Sequence, residues 1–539
     1  MSVLDFTNPF DAEPVAPSGR STRVTAAFAA LFFALALAMC WLRGPSDMSL
    51  LVDNQHYFFI AERAASGIAP HVSQFDPKNA LSLLITAAAI KASRLTGIGD
   101  DLAAARWISI VFASAAVSLL WLCVWMLTRR RLAAHLSAVI MLGFPLFFIM
   151  AAMGARPKVF LTPFLILPVI TTAAKKPFWT GVFSAMAFLC WQPALIVIAG
   201  AGVAVLLDPR RGRRDLLRLA LASVLTVAAY QAYFVVHGAL AQELEQAYVF
   251  PRMYLTHKVN LGVWGVHAGW LFHIRDGFGL TSVVPVGFAL GLAAVLVWGI
   301  THARQALVRA RSNPAAVNLL IVACAALLFT LHDYQGFPDE FLVTPYEAAV
   351  CGSLLAVVIV RLGEHRRAAA KTIIAALGLV VASVPAIRGA VSDQGFRGLE
   401  AQRAAARAVG GFLERGDTVY AVGCSHLLAF NHQDNFVPYG FFFRGMQAYM
   451  KTKANSPEGY RPLDEHGRMP DIILESRGFI PGGQEWLETE YRDITTRLFA
   501  RQRIRVWKRI DPARRWGQPV VPSRRHVTPN SPATEVRPP

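Results

Sequence analysis

Over the first 390 residues the chain alternates between long apolar runs and short segments rich in charge, Pro or Gly. The first run, Val24 to Leu42, carries no charge and is long enough to cross a hydrocarbon core roughly 30 Å thick. It ends in Cys40-Trp41-Leu42-Arg43 rather than at a small-residue cleavage site, which predicts a retained first helix instead of a secretory signal. Further runs lie at 107–127, 132–153, 159–174, 178–190, 193–207, 216–236, 280–300, 315–331, 341–360 and 372–387. The expectation is an all-α polytopic membrane domain over 24–390 with about eleven transmembrane helices, preceded by a tail over 1–23.

The basic clusters give the orientation. Arg129-Arg130-Arg131, Lys175-Lys176, Arg210 to Arg214, Arg304 to Arg311 and Arg361 to Lys371 belong on the cytoplasmic side by the positive-inside rule. Two of them flank 178–207, which requires an even number of crossings, so the stretch splits at Trp191-Gln192-Pro193, where Pro supplies the break. The N-terminus is then cytoplasmic. Residues 44–106, the turn near Gly154-Ala155-Arg156, the loops 237–279 and 332–340, and everything after about 390 lie outside a cell (inner) membrane, on its periplasmic or extracellular face.

The long outer loop 44–106 is patterned rather than linker-like. Asn54 to Ala65 reads as an amphipathic helix presenting Tyr57, Phe58, Ile60 and Ala61, with Gly67 and Pro70 as its stop, and Asn79 to Thr96 reads as a second helix. Such helices suit the headgroup plane. Beyond 390 the pattern changes to a helix at Leu399 to Leu413 and short β-prone runs at Thr418 to Val422, Asp471 to Leu474 and Arg503 to Lys508. These predict a small C-terminal extracytoplasmic α/β domain over 391–510 and a disordered Pro- and Arg-rich tail over 511–539.

Composition agrees. Of 539 residues 54% are hydrophobic and 16% charged, which excludes an ordinary soluble enzyme. The net charge of +18 sits in clusters between apolar runs, so it marks membrane topology and not a nucleic-acid partner. Five of six cysteines fall in or beside apolar runs, and no CxxC spacing occurs.

Three stretches of the outer loop carry a resemblance: Asp53-Asn54-Gln55-His56-Tyr57-Phe58, Gly67-Ile68-Ala69-Pro70-His71 and Asp76-Pro77-Lys78. An acid after the first span, an amphipathic helix with paired aromatics, a Gly-x-x-Pro turn and a Lys-containing turn resemble the first outer loop of GT-C glycosyltransferases. The branch is the one holding protein O-mannosyltransferases and aminoarabinose lipid A transferases. The resemblance implies a GT-C-like fold and a hexosyl- or pentosyltransferase that uses a polyprenyl-phosphate sugar donor on the outer face. The acceptor is left open between lipid, glycan and protein.

Such a reaction needs a carboxylate to take the proton of the attacking hydroxyl, and Asp53 is the candidate base. It needs a cation for the departing lipid phosphate, for which Lys78 is the first candidate, with Arg63 and Arg156 behind it. The resemblance assigns the base role to Asp53 and phosphate contact to Lys78. Relatives often carry a second acid in the turn before the fourth span, where this chain reads Ala155-Arg156-Pro157-Lys158. The loop 332–340 offers Asp333 as a candidate second acid, and the need for a divalent cation stays open.

Plainer readings stand beside these. Asp53 suits an N-cap for a helix starting at Asn54, and Lys78 suits snorkelling to membrane lipids. The aromatic and basic residues of 237–279 suit an interfacial belt as well as a pocket wall. His426, His432 and Asp434 fit no compact zinc motif, so no metal ligand is assigned. At the level of function the alternatives are a transporter or flippase of an envelope precursor and a non-catalytic assembly factor.

Overall fold

The computed structural model describes residues 19–208, 212–255, 283–332, 337–363, 398–414, 416–441, 445–454, 467–476 and 484–510. The expected span 372–387, the tail 511–539 and Asp333 lie outside these residues.

The membrane domain is built from α1 (Gly19–Trp41), α4 (Asp101–Thr128), α5 (Arg131–Leu142), α6 (Pro145–Met153), α7 (Pro157–Ala173), α8 (Pro177–Cys190), α9 (Leu195–Leu207), α10 (Arg213–Val236), α12 (Val283–Thr301), α13 (Ala303–Ser312), α14 (Pro314–His332) and α15 (Thr344–Gly363). The outer loop contributes α2 (Val52–Ala65) and α3 (Leu81–Thr96), and Leu240–Leu244 forms the short α11. Thr22–Trp41, α4 and α10 are individually long and apolar enough to cross a membrane. The run expected at 132–153 is a bent pair: α5 and α6 meet at 61°. Phe144 precedes Pro145, and a residue before proline is pushed out of the helical region. Leucines and valines of α10 such as Leu217, Leu221, Val224 and Val236 are exposed, as a lipid-facing stripe requires. Between α8 and α9 the chain breaks at Trp191 and passes through a 3₁₀ turn over Gln192–Ala194, where the sequence placed a break.

The C-terminal region holds α16 (Leu399–Phe412), α17 (His426–Phe430), α18 (Met446–Ala454), α19 (Gln484–Glu490) and α20 (Arg497–Arg501) around a sheet of β1 (Val419–Val422), β2 (Ile472–Ser476), β3 (Tyr491–Asp493) and β4 (Ile504–Arg509). Among the described residues the strand order is β1-β2-β4-β3, with β1 and β2 parallel and the other pairs antiparallel. This region sits directly on the outer loop. One buried apolar cluster runs from Tyr57, Phe58 and Ile60 of α2 through Leu399, Ala405 and Val409 of α16 to Ile472 and Val506 of the sheet. The Gln402 side chain clips the loop as well: its Oε1 accepts from the Leu50 amide at 2.8 Å and its Nε2 donates to the Leu50 carbonyl at 3.0 Å.

Candidate active site

The site begins with a reversal of the chain between α6 and α7. Gly154 at φ 83° and Ala155 at φ 52° turn the backbone left-handed. A Cβ on Gly154 would stand 3.0 Å from Cγ of Arg106 and 3.1 Å from its amide nitrogen, so the glycine answers both to conformation and to a close approach. Arg106 staples the surroundings by donating to the carbonyls of Pro45 and Met48. Asn54 Nδ2 donates to the Gly154 carbonyl at 2.7 Å, tying the turn to the start of α2. Arg156 follows as the N-cap residue of α7, with Pro157 at the first helical position.

That placement joins two candidates. Arg156 Nη2 lies 2.9 Å from Asp53 Oδ2, and the guanidinium carbon stands 5.9 Å from the centre of the Tyr57 ring. Lys78 Nζ donates to the Tyr57 hydroxyl at 2.6 Å. Asp53, Lys78 and Arg156 therefore gather around one buried tyrosine, which is 2% exposed. The Asp53 side chain keeps 41% of its surface open. Partial burial works to raise its pKa, but the charges of Arg156, Lys78, His56 and Lys158 outweigh it and hold the carboxyl below its usual value. The capping reading of Asp53 does not hold: α2 starts at Val52, Leu51 is the capping residue, and the Asp53 carboxylate is turned to Arg156.

The loop carrying Lys78 is fixed from behind. Gln246 Oε1 accepts from the Asp76 amide at 3.0 Å, and Gln246 Nε2 donates to the His71 carbonyl at 2.7 Å. Gln192 Nε2 donates to the carbonyls of Pro77 at 2.9 Å and Ala247 at 2.8 Å. Asp76 accepts from the Lys78 amide at 3.1 Å, and burial pushes its carboxyl up to about 6 against the pull of Lys78. Burial works to lower the Lys78 ammonium, and the neighbouring Tyr57 and Asp76 raise it overall. Lys78 is thus a held cation and not a snorkelling one.

Arg63 is elsewhere. It lies ten residues after Asp53 on the same helix, about 15 Å along the axis at 1.5 Å per residue. Its Nε and Nη2 donate to Glu62 at 2.7 and 2.9 Å and its Nη1 to Asp434 at 2.9 Å. That geometry holds Arg63 to Glu62 and Asp434 and not beside Lys78. His432 and Asp434 belong to the same network, which also takes in Arg94 and Asp101. The ligand atoms of Glu62, Asp101 and His432 lie within 4.8 Å of one another. Arg63 and Arg94 already fill the carboxylate oxygens there, so the group reads as an ion-pair seam.

Two residues were missed as site members. Lys158 makes a short ion pair with Asp339 of the 3₁₀ turn Phe337–Leu342 and stands 4.1 Å from the centre of the Trp191 ring. The 3₁₀ turn Phe337–Leu342 therefore brings Asp339 to the turn 154–158, where it neutralises a lysine. The donor set at Asp53 does not fit a divalent cation: its Oδ2 is taken by Arg156, and the turn 154–158 brings two cations and no carboxylate. Of the aromatic loop 237–279, Tyr254 packs against Phe250 at 5.6 Å and Tyr449 at 5.3 Å. His257 to Arg275 lie outside the described residues.

No family model matches the chain, and no curated protein matches it by sequence. Solved structures do match. ArnT from Cupriavidus metallidurans bound to undecaprenyl phosphate superposes with a TM-score of 0.54 at 14% identity, over 89% of this chain and 98% of that one. The apo state gives 0.55 at 15%, over 90% and 98%. The chain has the GT-C fold. An oligosaccharyltransferase from Archaeoglobus fulgidus in complex with Zn and sulfate shares that fold at a TM-score of 0.51 and 14% identity, over 75% of this chain and 61% of that one. The chain's own apolar helices, three of them among the described residues long enough to cross a membrane, mark it as a membrane protein.

Proposed function

We propose that this protein is a membrane glycosyltransferase that moves a monosaccharide, a hexose or a pentose, from a polyprenyl-phosphate donor to an acceptor hydroxyl on a lipid, glycan or protein. The reaction takes place on the outer face of a cell membrane, with the N-terminus cytoplasmic and the C-terminal domain outside. The observation that carries the reading is the arrangement of Asp53, Arg156 and Lys78 around Tyr57: one partly open carboxylate beside two fixed cations. The fold shared with ArnT, a protein solved with undecaprenyl phosphate bound, supports the donor class.

The chemistry follows from the charges. The acceptor oxygen attacks the anomeric carbon while the bond from that carbon to the phosphate oxygen breaks, its electron pair leaving with the polyprenyl phosphate. Asp53 takes the hydroxyl proton. Its depressed pKa makes it a weak base, so the proton moves as the attacking oxygen becomes acidic on bond formation. Lys78 and Arg156 meet the charge that develops on the phosphate, and they are already in place before it does. A single displacement of this kind inverts the anomeric configuration.

The test is transfer of radiolabelled sugar from a panel of polyprenyl-phosphate monosaccharides in membranes holding the intact protein or Asp53→Asn. Transfer by the intact protein that disappears in a normally folded Asn variant supports the enzyme and the base together. Absence of transfer from every donor in the panel, or equal transfer by both proteins, overturns the reading.

A further inference from the structure

The C-terminal domain touches the phosphate-binding loop itself, at residues the proposed reaction does not use. The Phe75 amide donates to the Pro438 carbonyl at 2.6 Å, and the Phe75 ring packs against Tyr449 at 5.3 Å. Phe441 stands 5.0 Å from the His56 ring. Between these contacts lies Gly440, buried, where an added Cβ would meet Asn435 Nδ2 at 2.5 Å, the Ala421 carbonyl at 2.7 Å and Gln74 Oε1 at 3.2 Å. Asn435 is itself pinned to the end of β1, accepting from the Ala421 amide at 2.9 Å and donating to its carbonyl at 3.2 Å. The sheet therefore seats Asn435, and the missing side chain at Gly440 leaves room there for the Gln74 amide.

Gln74 is fully buried and its Nε2 donates to His56 Nδ1. A ring nitrogen that accepts leaves the proton on the other one, so the neutral ring carries its hydrogen on Nε2. Nε2 stands 3.9 Å from Asp76 Oδ2, and Asp76 in turn holds the Lys78 amide. We infer that Gln74 and Gly440 are positioning residues through which the C-terminal domain sets the tautomer of His56 against Asp76, and so the seat of Lys78. Neither residue touches substrate. The inference rests on the reading of Lys78 as the phosphate ligand and gives the C-terminal domain a part in donor binding.

The experiment measures the affinity of the full chain in nanodiscs for undecaprenyl phosphate, by native mass spectrometry, across pH from about 5 to 8. Gln74→Leu and Gly440→Ala are each expected to weaken binding about tenfold, the scale of one misplaced charge-assisted contact. Gln74→Glu is the sharper probe. A glutamate can only accept from Nδ1–H, so the neutral ring turns a bare Nε2 toward Asp76, whereas the doubly protonated ring serves both carboxylates. His56 is faced by Lys78, Asp53 and His71 as well as Asp76, and Asp76 gains its own proton near pH 6. The readout is therefore the ratio of Gln74→Glu to wild type: it is lowest near pH 8 and rises as pH falls toward 6, a change that loss of packing alone does not create. Phe499→Leu, buried in the C-terminal domain away from Gln74, is expected to lower the melting temperature and leave the affinity unchanged. Wild-type affinity in folded Gln74→Leu and Gly440→Ala, a Gln74→Glu profile parallel to wild type, or equal weakening by Phe499→Leu each overturn the inference while the phosphate reading stands. Absence of binding by the intact protein removes that reading and the inference with it.

Discussion

The two ends of α2 carry similar charges and do different work. At its C-terminal end Glu62 is completely buried and accepts from Arg63 at 2.7 and 2.9 Å, from Arg94 at 2.5 Å and from His432 at 2.9 Å. Burial would raise its pKa, and these hydrogen bonds bring it below the usual value instead. At the N-terminal end Asp53 is held by one guanidinium and stays 41% exposed. A carboxylate saturated from several directions fastens elements together, and here it fastens α2, α3, α4 and the C-terminal domain. A carboxylate held from one side and open on the other can still receive a proton. Satisfaction and access, more than charge, separate the seam from the site.

The largest effect expected from breaking this contrast is in Asp53→Asn. Transfer should fall by about 10²- to 10⁴-fold, the usual contribution of a positioned base. The melting temperature should hardly move, and an Asn variant retaining a tenth of the activity would rule Asp53 out. Glu62→Gln should do the reverse. It leaves the buried Arg63 guanidinium, and the exposed Arg94, short of charge and should cost about 3 kcal/mol of stability in denaturant titration, the low end for a broken buried pair, with transfer per folded molecule unchanged. If activity is lost and stability kept, the seam and the site have been assigned the wrong way round.

Next in size, Lys78→Met and Arg156→Gln should each raise the donor KM through loss of about 1.5–3 kcal/mol of charge-assisted contact. The acceptor KM should stay close to wild type, and steady-state kinetics with both substrates varied separates the two. The smallest effect concerns Asp76, whose carboxyl is raised by burial to about 6, well above the usual carboxylate range. A folded-state pKa above the unfolded one gives stability that is complete below the unfolded value and is lost as pH rises through about 6. The melting temperature of wild type should therefore drop relative to Asp76→Asn between about pH 4 and pH 7, and a constant difference across that window would show that burial does not shift Asp76.

The sequence shows the elements more clearly than their meeting points. Among the described residues the long apolar runs and the β-prone stretches at 418–422, 471–474 and 503–508 coincide with helices and with β1, β2 and β4, because local pattern decides burial. The strand β3 escapes that logic, being three residues that follow directly on an acidic helix. Helix geometry alone was enough to move Arg63 away from Asp53 by its ten-residue offset, an inference available without coordinates. The pairing of Lys158 with Asp339 was not available, since 181 residues separate them and neither neighbourhood signals the other. Arg156 meets Asp53 only because Gly154 and Ala155 both turn left-handed, and a non-glycine at φ 52° has no reliable sequence signature.

The Gln402 clip on Leu50 spans 352 residues of chain. A ribosome adding about 5–20 residues per second needs roughly 20 to 70 seconds to cover that distance. For that interval the loop 44–106 has been made while the amide that closes its Leu50 backbone has not been synthesised. The loop that carries Asp53 and Lys78 is thus among the first parts of the protein to be made and among the last to be finished, its backbone closed only when the C-terminal domain has arrived.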